Sequence, residues 1–365
     1  MDILLFDMDG VLLKPWGYHR ALQKTVRLAG IATGFGEALL ADEQIAQFEA
    51  LGISSEWHSS ALCMAVMILE KQKGMVRKVK HSQSLILNLE DLFEAISAQP
   101  MQDSALLRGQ AAIKALATKS DVPVDLVRGL VAESESIQYS PTLNWFQELI
   151  LGSENYTCIY QKKPQFRTES FSKLYDERLL NEVQANKVLR WADRSQNAAA
   201  IMTNRPSRGL SELAGMPDAK MGSDLVGLAA LPLVGKGELS WLAARTGRQI
   251  ERFSKPTWSH AMAAILVASG WLMEDSLMFV GKQPAEKESS ALKYLHNSKV
   301  TVFEDTPSGL VAVQESSDLL NGMGIRVEVQ KIGITEEVTK QSALSAQGAT
   351  VYPDINQALA SLDNF

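Results

Sequence analysis

Cysteine is nearly absent from this chain: Cys63 and Cys158 are the only two among 365 residues. Two thiols exclude a disulfide framework and any cysteine-based metal cluster, and they suit a reduced, cytoplasmic protein. Histidine is scarce as well. His19, His58, His81, His260 and His296 fall at no spacing that suits a metal site, so each reads as a surface or packing residue. Long apolar runs are missing: no stretch reaches the roughly 18 residues a membrane-spanning helix needs. Dense basic tracts are missing too, and with a net charge of −6 a nucleic-acid-binding surface is not expected. The mildly basic patch from Lys71 to Lys80 reads as a solvated helix end. No signal peptide is expected, because an apolar strand pattern starts directly after Met1-Asp2. Neither an internal repeat nor a low-complexity tract appears.

What remains is ordinary globular material, with 46% apolar and 21% charged residues. The length suits two domains on a prior of about 100–200 residues each.

The first thirteen residues organise the rest. Ile3, Leu4, Leu5 and Phe6 form a short continuous apolar run, the pattern of a strand buried on both faces of a parallel sheet. The run stops at Asp7-Met8-Asp9-Gly10. Open α/β sheets put their chemistry at the carboxyl ends of strands, which is where this pair of acids would lie. Paired carboxylates with no basic neighbour call for a cation, and hard oxygen ligands suit Mg²⁺. Taken alone, the same spacing is equally a polar turn closing a strand.

From Pro15 to about Asp193 the pattern turns helical, with apolar faces at Leu22, Val26 and Ala29, at Leu106, Ile113 and Leu116, and at Val183, Val188 and Trp191. Breaks are expected near Gly30–Gly36, Gly74, Pro100, Pro123, Ser140-Pro141 and Pro164. Asn155 to Ile159 is a strand-like exception. After Asp193 strands alternate with helices again. Ala198–Met202, Leu231–Val234, Ile250–Phe253, Ser276–Val280, Val300–Phe303, Ile325–Ile334 and Ala349–Tyr352 read as strands, and 257–269 and 355–362 as helices. That alternation predicts right-handed βαβ units in a mostly parallel sheet. The first strand's partners start near residue 198, so the expected α/β fold is a doubly wound core of residues 1–14 and 194–365, interrupted by an α-helical insertion of residues 15–193.

Three more signals sit at strand or helix edges. Thr203 follows an apolar strand and offers a hydroxyl and a backbone N–H to an anion. Lys255, in Ser254-Lys255-Pro256, stands at the mouth of a helix, where a cation and orphan N–H groups favour phosphate. Glu304-Asp305 closes another apolar strand. Each alone is more often a turn residue, a solvated helix start or a polar cap.

In order they say more. With FDMDGVL at 6–12, MTN at 202–204, SKP at 254–256 and FEDTPSG at 303–309, the chain resembles the haloacid dehalogenase-like (HAD) superfamily of hydrolases. The resemblance covers residues 1–14 and 194–365; the helical middle matches only in position, as an inserted cap. It implies Asp7 as the nucleophile, through an aspartyl-phosphate, and Asp9 as general acid/base. It implies Thr203 and Lys255 as holders of the phosphoryl oxygens, and Mg²⁺ on Asp7, the backbone carbonyl of Asp9 and Asp305, with Glu304 beside it. The implied activity is hydrolysis of a small phosphorylated metabolite. A phosphomutase, a dehalogenase of the same superfamily and a non-catalytic binding protein on this scaffold remain alternatives. The chain departs from the family in two ways. The insertion is larger than the common small cap, and the segment from Lys255 to Glu304 is longer than usual. It holds a second candidate, Lys282, at the more usual distance from the acidic pair; Lys255 has the more usual Lys-Pro and is preferred.

Overall fold

In a computed structural model, all residues are described except 54, 73–84, 101–104, 121, 211–215, 283–285 and 363–364. The opening apolar run forms strand β1 (Asp2–Phe6), in which Ile3, Leu4, Leu5 and Phe6 are all buried. Five further strands join it: β2 (Asn197–Met202), β3 (Leu233–Val234), β4 (Ser298–Glu304), β5 (Val327–Ile334) and β6 (Thr350–Tyr352). They make one sheet in the order β6-β5-β4-β1-β2-β3, with every neighbouring pair parallel. The fold is α/β.

Side chains alternate between the two faces of β1, as a strand's period of two requires. Ile3 and Leu5 join a core with Ile265, Leu266, Leu277 and Leu310, contributed by helices on one side. Leu4 and Phe6 join a second core with Leu180, Val188, Trp191 and Ile355 on the other. Phe6 lies opposite Phe303 in register, and the two rings stack with centroids 4.9 Å apart. Ala198, Ala199 and Ala200 in β2 carry little side chain, so helices on both faces can approach closely.

The chain order places the site. From β1 it runs outward through β2 to β3, then returns to the other side of β1 for β4, β5 and β6. The strand order therefore reverses between β1 and β4, the switch point at which open α/β sheets bind ligands.

The chain divides into two compact units: residues 1–15 with 176–365, and residues 16–175. The expected insertion of 15–193 is thus too long at its end. Glu177–Arg178 pairs antiparallel with Leu13–Lys14, and the helix Glu182–Ala192 buries Ala185, Val188 and Trp191 in the sheet's second core. An amphipathic helix read from sequence does not say which core its apolar stripe faces.

The second unit is mostly helical, from Trp16–Thr33 to Phe171–Tyr175. Tyr18 and Trp57 both pack edge-on against Phe146, and Phe48 packs edge-on against Phe93. Buried Glu148 accepts backbone N–H bonds from Gln165 at 2.9 Å and Phe166 at 3.1 Å, which satisfies a carboxylate that burial would otherwise penalise.

Three expected strands are not strands. Asn155–Ile159 lies in the helix Ser153–Tyr160, Ser276–Val280 lies in the helix Met273–Gly281, and Ile250–Arg252 is a 3₁₀ turn. Short apolar runs fit a buried helix as well as a buried strand, and here tertiary packing decides. The expected break near Gly74, His81, and most of the basic patch fall outside the described residues.

Candidate active site

Parallel register brings the sequence motifs to one sheet edge. Phe6 is level with Ile201 of β2 and Phe303 of β4, so Asp7, Thr203, Glu304 and Asp305 all follow immediately at the carboxyl ends. The Asp7 N–H continues the ladder to the Phe303 carbonyl at 3.0 Å, and the Thr203 N–H to the Val234 carbonyl at 3.0 Å. Beyond Asp7 the chain doubles back. Leu12 N–H bonds the Met8 carbonyl at 2.9 Å, Gly10 N–H bonds the Leu13 carbonyl at 2.8 Å, and Gly10 has φ +75°. A side chain there would be strained, and its Cβ would lie 2.4 Å from Asp305 Oδ2.

Lys255 precedes the helix Trp258–Ala268 and is itself brought in beside β1. Its ammonium donates to Asp7 Oδ1 at 2.8 Å and to Glu304 Oε1. Burial works against the charge on Lys255, but the Asp7 and Glu304 carboxylates more than offset it and hold its pKa above the ordinary value. Lys282 is exposed at the end of the helix Met273–Gly281, not after a strand. The structure therefore brings Lys255, not Lys282, to Asp7.

Asp7, Glu304 and Asp305 form a group whose carboxylate oxygens lie within 4.8 Å of one another, close enough to hold a metal ion. Burial, then the nearby charge of Asp7, pushes Glu304 well above the usual carboxylate range against the pull of Lys255. Asp305 is raised for the same two reasons, against the pull of Lys340. Two cations thus leave the group short of neutral. All-oxygen donors with surplus negative charge suit a hard divalent cation. Lys340, from the helix Val338–Ala346, donates to Asp305 Oδ2 at 2.6 Å; nothing in the sequence pattern had marked it.

Asp9 turns elsewhere. Its carboxylate accepts from Arg205 Nε, at 2.8 Å to Oδ1 and 3.0 Å to Oδ2. Burial raises its pKa to about 6, with Arg205 opposing and Asp7 adding to the shift, although 38% of the side chain still meets solvent. Arg205, two residues after Thr203 in Thr-Asn-Arg-Pro, is, with Lys340, a residue that sequence reasoning missed. A lone arginine in a turn carries no signal until the fold puts it beside an acid.

No protein-family model matches the chain, and no curated protein matches it. Among solved structures, an X-ray structure of a Northeast Structural Genomics Consortium target, ZR25, superposes on all of this chain and 99% of its own length. The TM-score is 0.67 at 16% identity. The phosphatase Tt82 from Thermococcus thioreducens aligns over 94% of this chain and 99% of its own, with a TM-score of 0.45 at 13% identity. The first likeness is one of fold; the second is too loose to carry chemistry across.

Proposed function

We propose that the protein is a Mg²⁺-dependent phosphatase of the HAD superfamily, acting on a small phosphorylated metabolite through a phosphorylated Asp7. The observation that carries this reading is the buried Lys255 ammonium shared by Asp7 and Glu304 at the sheet's switch point. A carboxylate facing a fixed cation and two further acids is poised to meet a phosphate dianion once a metal offsets the charge.

In this reading an Asp7 oxygen attacks phosphorus, and the leaving oxygen takes a proton from Asp9. Water then attacks the phospho-aspartate, giving a proton to Asp9 and releasing inorganic phosphate with Asp7 restored. Lys255 and the Thr203 hydroxyl hold the phosphoryl oxygens; the Thr203 N–H, expected to help, is committed to the Val234 carbonyl. Mg²⁺ held by Asp7, Glu304, Asp305 and the Asp9 main-chain carbonyl would neutralise charge on the phosphoryl group and on Asp7. The helical unit, inserted directly after the two aspartates, is where this reading puts substrate choice. The resemblance in FDMDGVL and FEDTPSG supports the family assignment.

The test is turnover. Purified protein should release nitrophenolate from p-nitrophenyl phosphate with MgCl₂ and stop when EDTA is added. Asp7→Asn should be inactive yet folded. Activity in Asp7→Asn within tenfold of wild type would refute the reading; with that variant inactive, a panel of phosphorylated metabolites run on the wild type defines the substrate.

A further inference from the structure

We infer that Arg205 is a positioning residue: its guanidinium fixes the Asp9 carboxylate and ties it to Asp176, where the chain re-enters the sheet unit. This rests on the acid/base reading of Asp9 given above. Arg205 is buried, with only 3% of its side chain exposed. Its Nε–H is shared by both Asp9 oxygens, and its Nη2 donates to Asp176 Oδ2 at 3.3 Å. Asp176 is buried still more deeply, with 1% of its side chain exposed. A guanidinium spans two acids in a fixed plane and does not give up its proton, so it orients without taking part in proton transfer.

The backbone around Arg205 is built for this. Its N–H donates to Thr203 Oγ1 at 3.1 Å, and its carbonyl accepts from Lys236 N–H at 3.0 Å. Two residues on, Ser207 Oγ donates to Glu238, which also receives Gly235 N–H at 2.8 Å. Gly222, in the helix Asp218–Leu225, leaves room: a Cβ there would lie 2.4 Å from Met8 Sδ and 3.3 Å from Arg205 Nη1. Glycine at that point thus clears space for both the Asp7–Asp9 turn and the guanidinium.

The two acids lie at opposite ends of the inserted unit in sequence. Asp9 stands on the outgoing segment and Asp176 at the first residue of the return, next to the Glu177–Arg178 pairing with Leu13–Lys14. Arg205 therefore joins both crossings to the loop after β2. An Asp9 held this way presents a fixed oxygen to the water of the second step; a loose one spends most of its time elsewhere.

p-Nitrophenyl phosphate separates this role from a structural one. Nitrophenolate leaves with its electron pair and needs no proton, so formation of the Asp7–phosphorus bond does not use Asp9. Breakdown does: the water oxygen bonds to phosphorus, one of its protons passes to Asp9, and the Asp7–phosphorus bond breaks. Arg205→Met should keep a burst of about one nitrophenolate per chain and lose about 10²-fold in the steady state, with acid-stable phospho-enzyme accumulating. Arg205→Lys should recover part of the steady-state rate. Should Arg205→Met fail to fold, Asp176→Asn, which keeps shape, should shift the same burst-to-steady-state ratio more mildly. Equal loss of burst and steady state, or an unchanged ratio in both variants, overturns the inference. Asp9 can also be read without turnover: in crystals of the Arg205 variants its carboxylate should leave the position seen here, and an unmoved Asp9 overturns the inference even if the wild type proves not to be a phosphatase. A wild type that forms no phospho-enzyme refutes the functional reading alone.

Discussion

Lys255 reaches Asp7 across 248 residues of sequence and donates to it at 2.8 Å, with Glu304 on the same ammonium. Removing one member of a buried charge cluster leaves the others uncompensated, at a cost of about 3–5 kcal/mol. Lys255→Met should therefore both abolish turnover and lower stability by about that much in urea unfolding. Asp7→Asn should abolish turnover while costing far less, since it keeps the amide shape and removes a negative charge from an over-acidic cluster. Two variants equally dead but unequal in stability would separate the chemical role from the structural one. Equal unfolding midpoints would show that the ammonium adds little to the fold.

Glu304 and Asp305 make the second prediction. Both are raised above the usual carboxylate range by burial and by Asp7, so a divalent cation should relieve their repulsion. Mg²⁺ should raise the thermal midpoint of the wild type, because a ligand that binds only the folded state stabilises it. Asp305→Asn should weaken that response, and Asp7→Asn should weaken it as well. Calorimetric titration with MgCl₂, free of any substrate, checks this. A wild type whose midpoint ignores Mg²⁺ up to tens of millimolar would remove the metal from the scheme.

Much of this site was legible in the sequence because its parts are strand ends. The apolar runs Ile3–Phe6, Ala198–Met202 and Val300–Phe303 do form buried strands, and the polar residues that close them lie at the sheet edge. Asp7, Thr203, Glu304 and Asp305 were found that way, and parallel register brings them to within one residue of the same level. Lys255 needed the helix behind it as well. Lys340 and Arg205 left no such trace: each reaches an acid from a turn or a helix flank, and contact across 35 and 196 residues has no period to read. The unit boundary failed for a related reason. Glu182–Ala192 shows its apolar stripe plainly, but only packing tells that the stripe faces β1 and β2 rather than the helical unit.

Two glycines give the third prediction, since each hands its missing side chain to an acid. At Gly309, in the helix Pro307–Gly322, a Cβ would stand 1.6 Å from Glu304 Oε1; at Gly10 it would stand 2.4 Å from Asp305 Oδ2. Gly309→Ala should push Glu304 off Lys255 and weaken the response to Mg²⁺. Gly10→Ala adds backbone strain at φ +75° of roughly 1 kcal/mol or more. Both should cost metal response and turnover well beyond what an alanine on an exposed helix face costs. A Gly309→Ala protein with wild-type Mg²⁺ response would show that Glu304 has room to move without consequence.

His260 sits fully buried on the helix Trp258–Ala268, with Nε2 against the Val234 carbonyl at 3.1 Å. A carbonyl oxygen can only accept, so the neutral imidazole carries its proton on Nε2, sharing that oxygen with the Thr203 N–H. Burial, with the Lys255 charge adding to it, lowers the His260 pKa to about 3, and the Val234 bond opposes the shift only weakly. Unfolded, the same ring titrates near its ordinary value of about 6.5. The folded state therefore binds fewer protons than the unfolded state between those two values. The stability that comes from keeping the ring neutral is whole above pH 6.5, is lost as the pH falls from there toward 3, and changes no further below. The slope is at most about 1.4 kcal/mol per pH unit for one proton. His260→Gln retains an amide donor for Val234 but cannot titrate. Carboxylates with raised pKa values push the other way in both proteins, so the difference between wild type and variant isolates the ring. Urea unfolding from pH 7.5 down to 4 should show His260→Gln less stable at the top and catching up with the wild type as the pH falls. Curves that stay parallel across that range would mean that the ring is protonated, or not, alike in both states.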